Sequence, residues 1–201
     1  ALSFFSWRVF LRLMALAAVA AGLAFLILGR GGRFRGEPPS RENARLILSR
    51  PSFWLIAALF ALGAGSGVGV FAVIPTYLVS ERGMGQALVN TLLGLSRISG
   101  LATVFLAGWL SDRFGAKAVL AAVLAGSGTA TAALGLGRGY PLIAAVFVQP
   151  VLTACFFPVA FAAMARITHR RIYNVTVSFV LPISYTLGGG VVPALMGVLG
   201  D

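Results

Sequence analysis

Six long apolar runs decide what this chain can become. They cover about Phe4–Leu28, Phe53–Val79, Ala87–Leu110, Ala118–Leu136, Tyr140–Ala165 and Ile172–Leu199. Each reaches the roughly 20 residues a helix needs to cross the hydrocarbon core of a bilayer. In that core a backbone N–H or C=O finds no water, so only helices and closed barrels satisfy it. Barrel strands need only about 10 residues each, far fewer than these runs contain. Composition agrees: 59% of the 201 residues are hydrophobic and 10% are charged, where a soluble domain has roughly a quarter charged. The expected fold is an all-α membrane protein with six transmembrane helices.

A formal net charge of +11 by itself admits a nucleic-acid partner, but the placement of the bases argues against one. Arg30, Arg33, Arg35, Arg41, Arg45 and Arg50 fall in segment 29–52. Arg113 and Lys117 fall in 111–117, and Arg166, Arg170 and Arg171 in 166–171. Alternating helices bring these three segments to one side. The loops of the opposite side carry Arg82 and Arg138, with Arg8 and Arg12 near the outer end of the first run. Base-rich short loops stay in the cytoplasm. The expected location is therefore a multi-pass position in a bacterial inner membrane, with the long basic loop cytoplasmic. The expected partners are the lipid bilayer and a small-molecule substrate, with no nucleic acid.

Little in the chain points to catalysis. Cys155 is the single cysteine and lies within a run, so it forms no intrachain disulfide and reads as an apolar packing residue. The single histidine, His169, sits in an Arg-rich loop. No nucleophile–base pair, metal-ligand cluster or phosphate loop is visible, so neither an enzyme nor a cofactor is expected. Asn174-Val175-Thr176 matches a glycosylation sequon but falls at the cytoplasmic start of the last run, where no glycan is added. The first run lacks the short apolar core and small-residue cleavage site of a signal peptide. The chain opens near one helix and closes just after another, and is expected to be part of a longer protein.

The longest break, 29–52, is rich in Gly, Pro and Arg and reads as a flexible cytoplasmic connector. It divides the chain into a helix at 1–28 and a five-helix group at 53–201. Its tail, 41–50, is either a short basic helix on the membrane surface or a solvated linker. Several runs are interrupted. Gly63, Gly65, Gly67 and Gly69 alternate before Pro75; Pro150 and Pro158 break the fifth run; Pro182, Gly188-Gly189-Gly190 and Pro193 break the sixth. Gly and Pro are common in membrane helices, yet interrupted helices also mark transporters. Three such runs favour helices that move.

The stretch Gly108-Trp109-Leu110-Ser111-Asp112-Arg113-Phe114-Gly115-Ala116-Lys117 lies between two runs. A short hairpin accounts for it: Asp112 at a helix start, Gly115 in the turn, Arg113 and Lys117 among the headgroups, and Gly108 allowing a neighbouring helix close. The stretch also resembles motif A of the major facilitator superfamily of transporters, in which Gly, Leu, a small residue, Asp, Arg, Gly and paired bases recur in this order. Gly108, Leu110, Ser111, Asp112, Arg113, Gly115 and Lys117 match. Ala116 stands where the family has the first of the paired bases, as in the less strict second copy of the motif. The family has twelve helices in two halves, a long connector between helices 6 and 7, and that second copy between helices 8 and 9. One helix, a long basic connector, then five helices with the motif after the second of them resembles helices 6 to 11, a partial major-facilitator bundle whose N-terminal half and last helix are missing. The resemblance implies a secondary transporter working by alternating access. Gly108, Asp112, Arg113, Gly115 and Lys117 would form a gating motif, with Asp112 meeting the absent N-terminal half. The other reading is a non-transporting membrane subunit or sensor that reuses the fold.

Arg97 is the outstanding candidate for substrate contact. It lies mid-run, where a cation costs about 2.5–3.5 kcal/mol on insertion scales, and no acid lies at mid-depth in any run. It needs an anionic substrate, an acid from elsewhere, or backbone carbonyls. Asn90 and Gly94 share its helix face at i, i+4, i+7 spacing. Ser96, Gly100 and Thr103 form a neighbouring small-residue stripe suited to packing. Gln149, beside Pro150, either reads a substrate or bonds a neighbouring helix. Tyr185, before the glycine triplet, suits a cavity wall. Tyr77 suits the interfacial belt, and Asn174 a gate or cap. The expected substrate is a small anion.

Overall fold

The structure is a computed structural model that describes residues 6–29, 40–169 and 172–200. Arg30, Arg33, Arg35, Glu37, Arg170 and Arg171, which carry part of the charge pattern, lie outside the described residues. Among the described residues every regular element is helical: α1 (Trp7–Leu28), α2 (Arg41–Leu48), α3 (Pro51–Ser80), α4 (Gln86–Phe114), α5 (Ala116–Leu136), α6 (Tyr140–Ile167) and α7 (Tyr173–Leu199). All except α2 are long and apolar enough to cross a membrane. This is an all-α, multi-pass membrane protein.

The chain divides into two units after Arg35, within the expected connector. In the first unit, Ser6 caps α1, its hydroxyl accepting from the Arg8 N–H at 3.4 Å. The second unit contains α2–α7. Of the two readings of 41–50, the helix is found. Ser40 Oγ accepts from Asn43 N at 3.0 Å, and Glu42 lies in the first turn, where the helix dipole favours an acid. The helix buries Ile47. Trp54 Nε1 then donates to the Leu48 carbonyl at 2.9 Å, tying the end of α2 to α3.

α6 packs along both α4 and α5, while α3 packs along α7. Near the basic loops the core is aromatic: Phe60 meets the rings of Phe156 and Phe161 edge-on at 5.6 and 5.2 Å. Near the opposite end, Ile74, Leu78, Val89, Leu142 and Val146 form a smaller core. Much of the remaining apolar surface faces outward, as with Phe105 (82% exposed) and Leu136 (86%). Apolar surface on this scale is a liability in water and ordinary against lipid tails.

The interruptions behave differently from one another. α3 widens to π-helical geometry over Gly65–Val70, and α7 over Tyr185–Val191. In α3 the alternating glycines weaken the α-helical preference. In α7, Pro193 has no N–H for the Gly189 carbonyl four residues earlier. The two widened segments pack on each other: a methyl at Gly69 would lie 2.6 Å from the Gly188 carbonyl, and one at Gly188 would overlap the backbone of Ala61 and Gly65. Only hydrogen fits between them. Pro150 and Pro158, by contrast, leave α6 a single continuous helix, correcting the expectation that it is broken.

The turn of the motif hairpin is tighter than expected. α4 continues through Phe114 and α5 begins at Ala116, so Gly115 alone joins them, at φ +86°. A left-handed φ of this kind is one that glycine adopts readily and side chains resist.

Candidate functional site

The geometry of the site begins with Arg97. α4 carries it beside the widened segment of α3, and its guanidinium carbon stands 3.7 Å from the centre of the Phe71 ring. At this distance the ring quadrupole attracts the cation. Arg97 has no hydrogen-bond or ion-pair partner among the described residues. The ring therefore orders the side chain without neutralising it, and the N–H fork keeps its donors.

Arg97 lines an open cleft of about 450 Å³ together with Gly67, Phe71, Thr153, Phe157 and Tyr185. The cleft is thus built from α3, α4, α6 and α7. Phe157 and Tyr185 stack nearly parallel, 14° apart with ring centres at 6.2 Å, and form an aromatic wall. Gly67 leaves room for Thr153: a methyl there would touch Thr153 Cβ at 3.4 Å. The cleft offers one cation, one phenol and apolar rings, a set that can hold a small anion with an apolar part; the Thr153 hydroxyl donates to the Pro150 carbonyl at 3.1 Å and keeps no proton for a ligand. A second cleft, about 430 Å³, flanks Arg97 beside Gly100, Leu101 and Pro150.

The structure brings two of the four expected substrate residues together, Arg97 and Tyr185. Asn90 does not line the cleft; it is exposed nearer the start of α4 and accepts from Gln86 Nε2 at 3.1 Å. Gly94 faces open space on the same helix. Gln149 is fully buried and does not line the cleft. Its Nε2 donates to the Ser66 carbonyl at 2.7 Å and lies 3.2 Å from Ser66 Oγ, which is 2.6 Å from Ser127 Oγ. Gln149 thus joins α6 to the widened segment of α3, since a π-helical turn shifts backbone partners and a side chain can take them up. Its Oε1 is buried without a partner.

Other residues also take definite places. Ser96 and Gly100 are buried, and Cys155 Sγ donates to the Thr103 carbonyl at 3.3 Å, so that stripe packs α4 on α6. Tyr77 acts as a clasp between helices: its hydroxyl donates to the Leu134 carbonyl at 2.8 Å and accepts from Arg82 Nε at 2.7 Å. Arg82 Nη2 also reaches the Gly135 carbonyl at 2.8 Å. Asn174 caps no helix, because α7 starts after Ile172 without a side-chain cap.

In the motif, Asp112 caps no helix either. It lies in the last turn of α4, and α5 has no side-chain cap. It is exposed and has no partner among the described residues. An acid at a helix C-terminus is repelled by the dipole, so a contact with a base or helix start elsewhere would relieve it. Arg113 instead lies over the Trp109 ring at 5.4 Å. Gly108 faces open space among the described residues, where a methyl would touch nothing within 4 Å. Ser111 is buried with its hydroxyl unpaired.

Sequence reasoning did not find Phe71, Phe157, Ser66 or Ser127. Phe71 follows the glycine ladder by two residues, and that adjacency was the available signal. No family model, curated protein or solved structure matches the chain.

Proposed function

We propose that the protein is a secondary transporter of the major-facilitator kind that carries a small anion by alternating access. The observation that carries this reading is Arg97: a cation on a membrane-spanning helix, ordered by Phe71, open to a cleft and unpaired among the described residues. An uncompensated cation at membrane depth is expensive and marks a substrate path or a partner. In a low-dielectric cleft its planar fork suits carboxylate-like groups. The paired widened segments of α3 and α7 support the reading. Their glycine contact offers two packed helices with weakened backbone ladders, a place where rocking could be accommodated. The motif resemblance supplies the transporter class, with Asp112 as the contact that holds the cytoplasmic side closed. On this reading the chain corresponds to helices 6 to 11 of twelve, in a bacterial inner membrane with the basic loops cytoplasmic.

The test is uptake into proteoliposomes by the full-length protein, using labelled monocarboxylates, dicarboxylates, phosphate and sulfate, with a neutral sugar and an organic cation as comparators. Saturable uptake of one anion, strongly weakened in Arg97→Gln, is expected. Transport of only the neutral or cationic solute overturns the anion assignment. Absence of uptake of every solute favours a non-transporting subunit. Restoration of activity when Arg97 and an acid elsewhere are removed together assigns Arg97 to a structural ion pair.

A further inference from the structure

We propose that the groove between α3, α5 and α6 at the basic-loop end binds one anionic phospholipid, with its phosphate held by Lys117 and Arg166. The groove encloses about 580 Å³ and is separate from the Arg97 cleft. Leu55 and Leu59 line it from α3, and Leu120 and Leu124 from α5. Each pair is spaced four residues apart, so each helix presents one apolar stripe along the groove. Lys117 and Arg166 stand at one end of it, and no acid lines it.

The order of residues gives the groove a direction. On α5 the lining runs from Lys117 through Leu120 to Leu124, a rise of about 10 Å. On α6 it runs from Arg166 back to Ala160, about 9 Å. Both helices thus place a base at the same end and apolar side chains deeper in. This polarity matches a phospholipid, whose anionic phosphate sits at the membrane surface and whose chains run inward. Basic pockets between transmembrane helices bind such headgroups.

The walls choose between sources of phosphate. A free anion would gain from the two bases but nothing from the leucines, whereas an acyl chain gains from burial against them in addition. A neutral apolar helix would fill the groove but leave both cations at its mouth uncompensated. A lipid that is anionic and has acyl chains satisfies both parts. Gly115 and Ala116 also border this end, so the first turn of α5, which has no side-chain cap, adds backbone N–H groups near the phosphate.

The proposal does not depend on what Arg97 carries. It is tested on delipidated full-length protein in neutral detergent by thermal melting during titration with phosphatidylglycerol, phosphatidylcholine or inorganic phosphate. Phosphatidylglycerol should raise the melting temperature saturably, with phosphatidylcholine and inorganic phosphate far weaker. The double variant Lys117→Gln/Arg166→Gln should bind phosphatidylglycerol about thirtyfold more weakly, at roughly one surface base's worth of attraction each. Lys117→Arg/Arg166→Lys should retain it, which separates lost charge from lost fold. Ala121→Phe, which narrows the groove and keeps both bases, should also weaken it. Equal stabilisation by the two lipids overturns the proposal. So does a double variant that keeps the preference, or inorganic phosphate that reproduces the effect. An unaffected Ala121→Phe overturns the groove as the seat.

Discussion

Arg97 of α4 and Phe71 of α3 form the closest cation–ring contact among the described residues, with the guanidinium carbon 3.7 Å from the ring centre. The ring covers one face of the fork and leaves the N–H edge for a ligand. Arg97→Gln removes a charge-assisted contact worth about 1.5–3 kcal/mol, so anion affinity should fall about tenfold to a hundredfold. Arg97→Lys keeps charge but loses the fork, and should give an intermediate loss. Phe71→Leu should weaken binding less than Arg97→Gln does, since it frees the side chain without removing the charge. Equilibrium binding of the transported anion measures all three.

Gly188 is expected to tolerate no methyl group. Gly188→Ala would overlap the backbone of Ala61 and Gly65 and force α3 and α7 apart, at about 1–3 kcal/mol. Gly190→Ala, where nothing lies within 4 Å, should be close to neutral. Thermal melting of the two variants side by side distinguishes a packed glycine contact from a general loss of flexibility.

Gln149→Leu should lower stability by about 0.6–1.7 kcal/mol, the range for hydrogen bonds between membrane helices, because the Ser66 carbonyl loses its donor at 2.7 Å. Substrate preference should not change. An altered preference in transport assays would place Gln149 on the substrate path despite its burial.

Asp112→Asn removes a charge that has no partner among the described residues, so the fold should survive. In the full-length protein the same change should slow transport and make the cleft easier to label from the cytoplasm. Unchanged labelling and rate would leave Asp112 no gating role.

Cysteines placed singly at Arg41 and Gly139, in a Cys155→Ala background, should react with membrane-impermeant reagent from opposite sides. Reaction of both from one side would overturn the alternating topology.

The apolar runs alone determined that this is an all-α membrane protein, because chain length against bilayer thickness and the need to pair every backbone group leave few choices. The candidacy of Arg97 was equally legible, since an ionisable residue in such a run is costly wherever the helix ends up. Glycine at 115 announced a turn, but its being the only residue between α4 and α5 depended on how far each helix ran. Tertiary structure decided the rest, because it turns on which faces meet. Gln149 and Asn90 look alike as amides in a sequence, yet one is sealed against Ser66 and the other is exposed beside Gln86. The alternating glycines of α3 signalled a weakened helix without saying what they approach; the partner, Gly188, lies more than a hundred residues away. Phe71 carried only its place just after the glycine ladder as a signal, because an aromatic residue in an apolar run becomes a ligand to a cation only when packing brings α4 beside it. Lys117 and Arg166, far apart in the chain, share one groove only because α5 and α6 run antiparallel with their basic ends together.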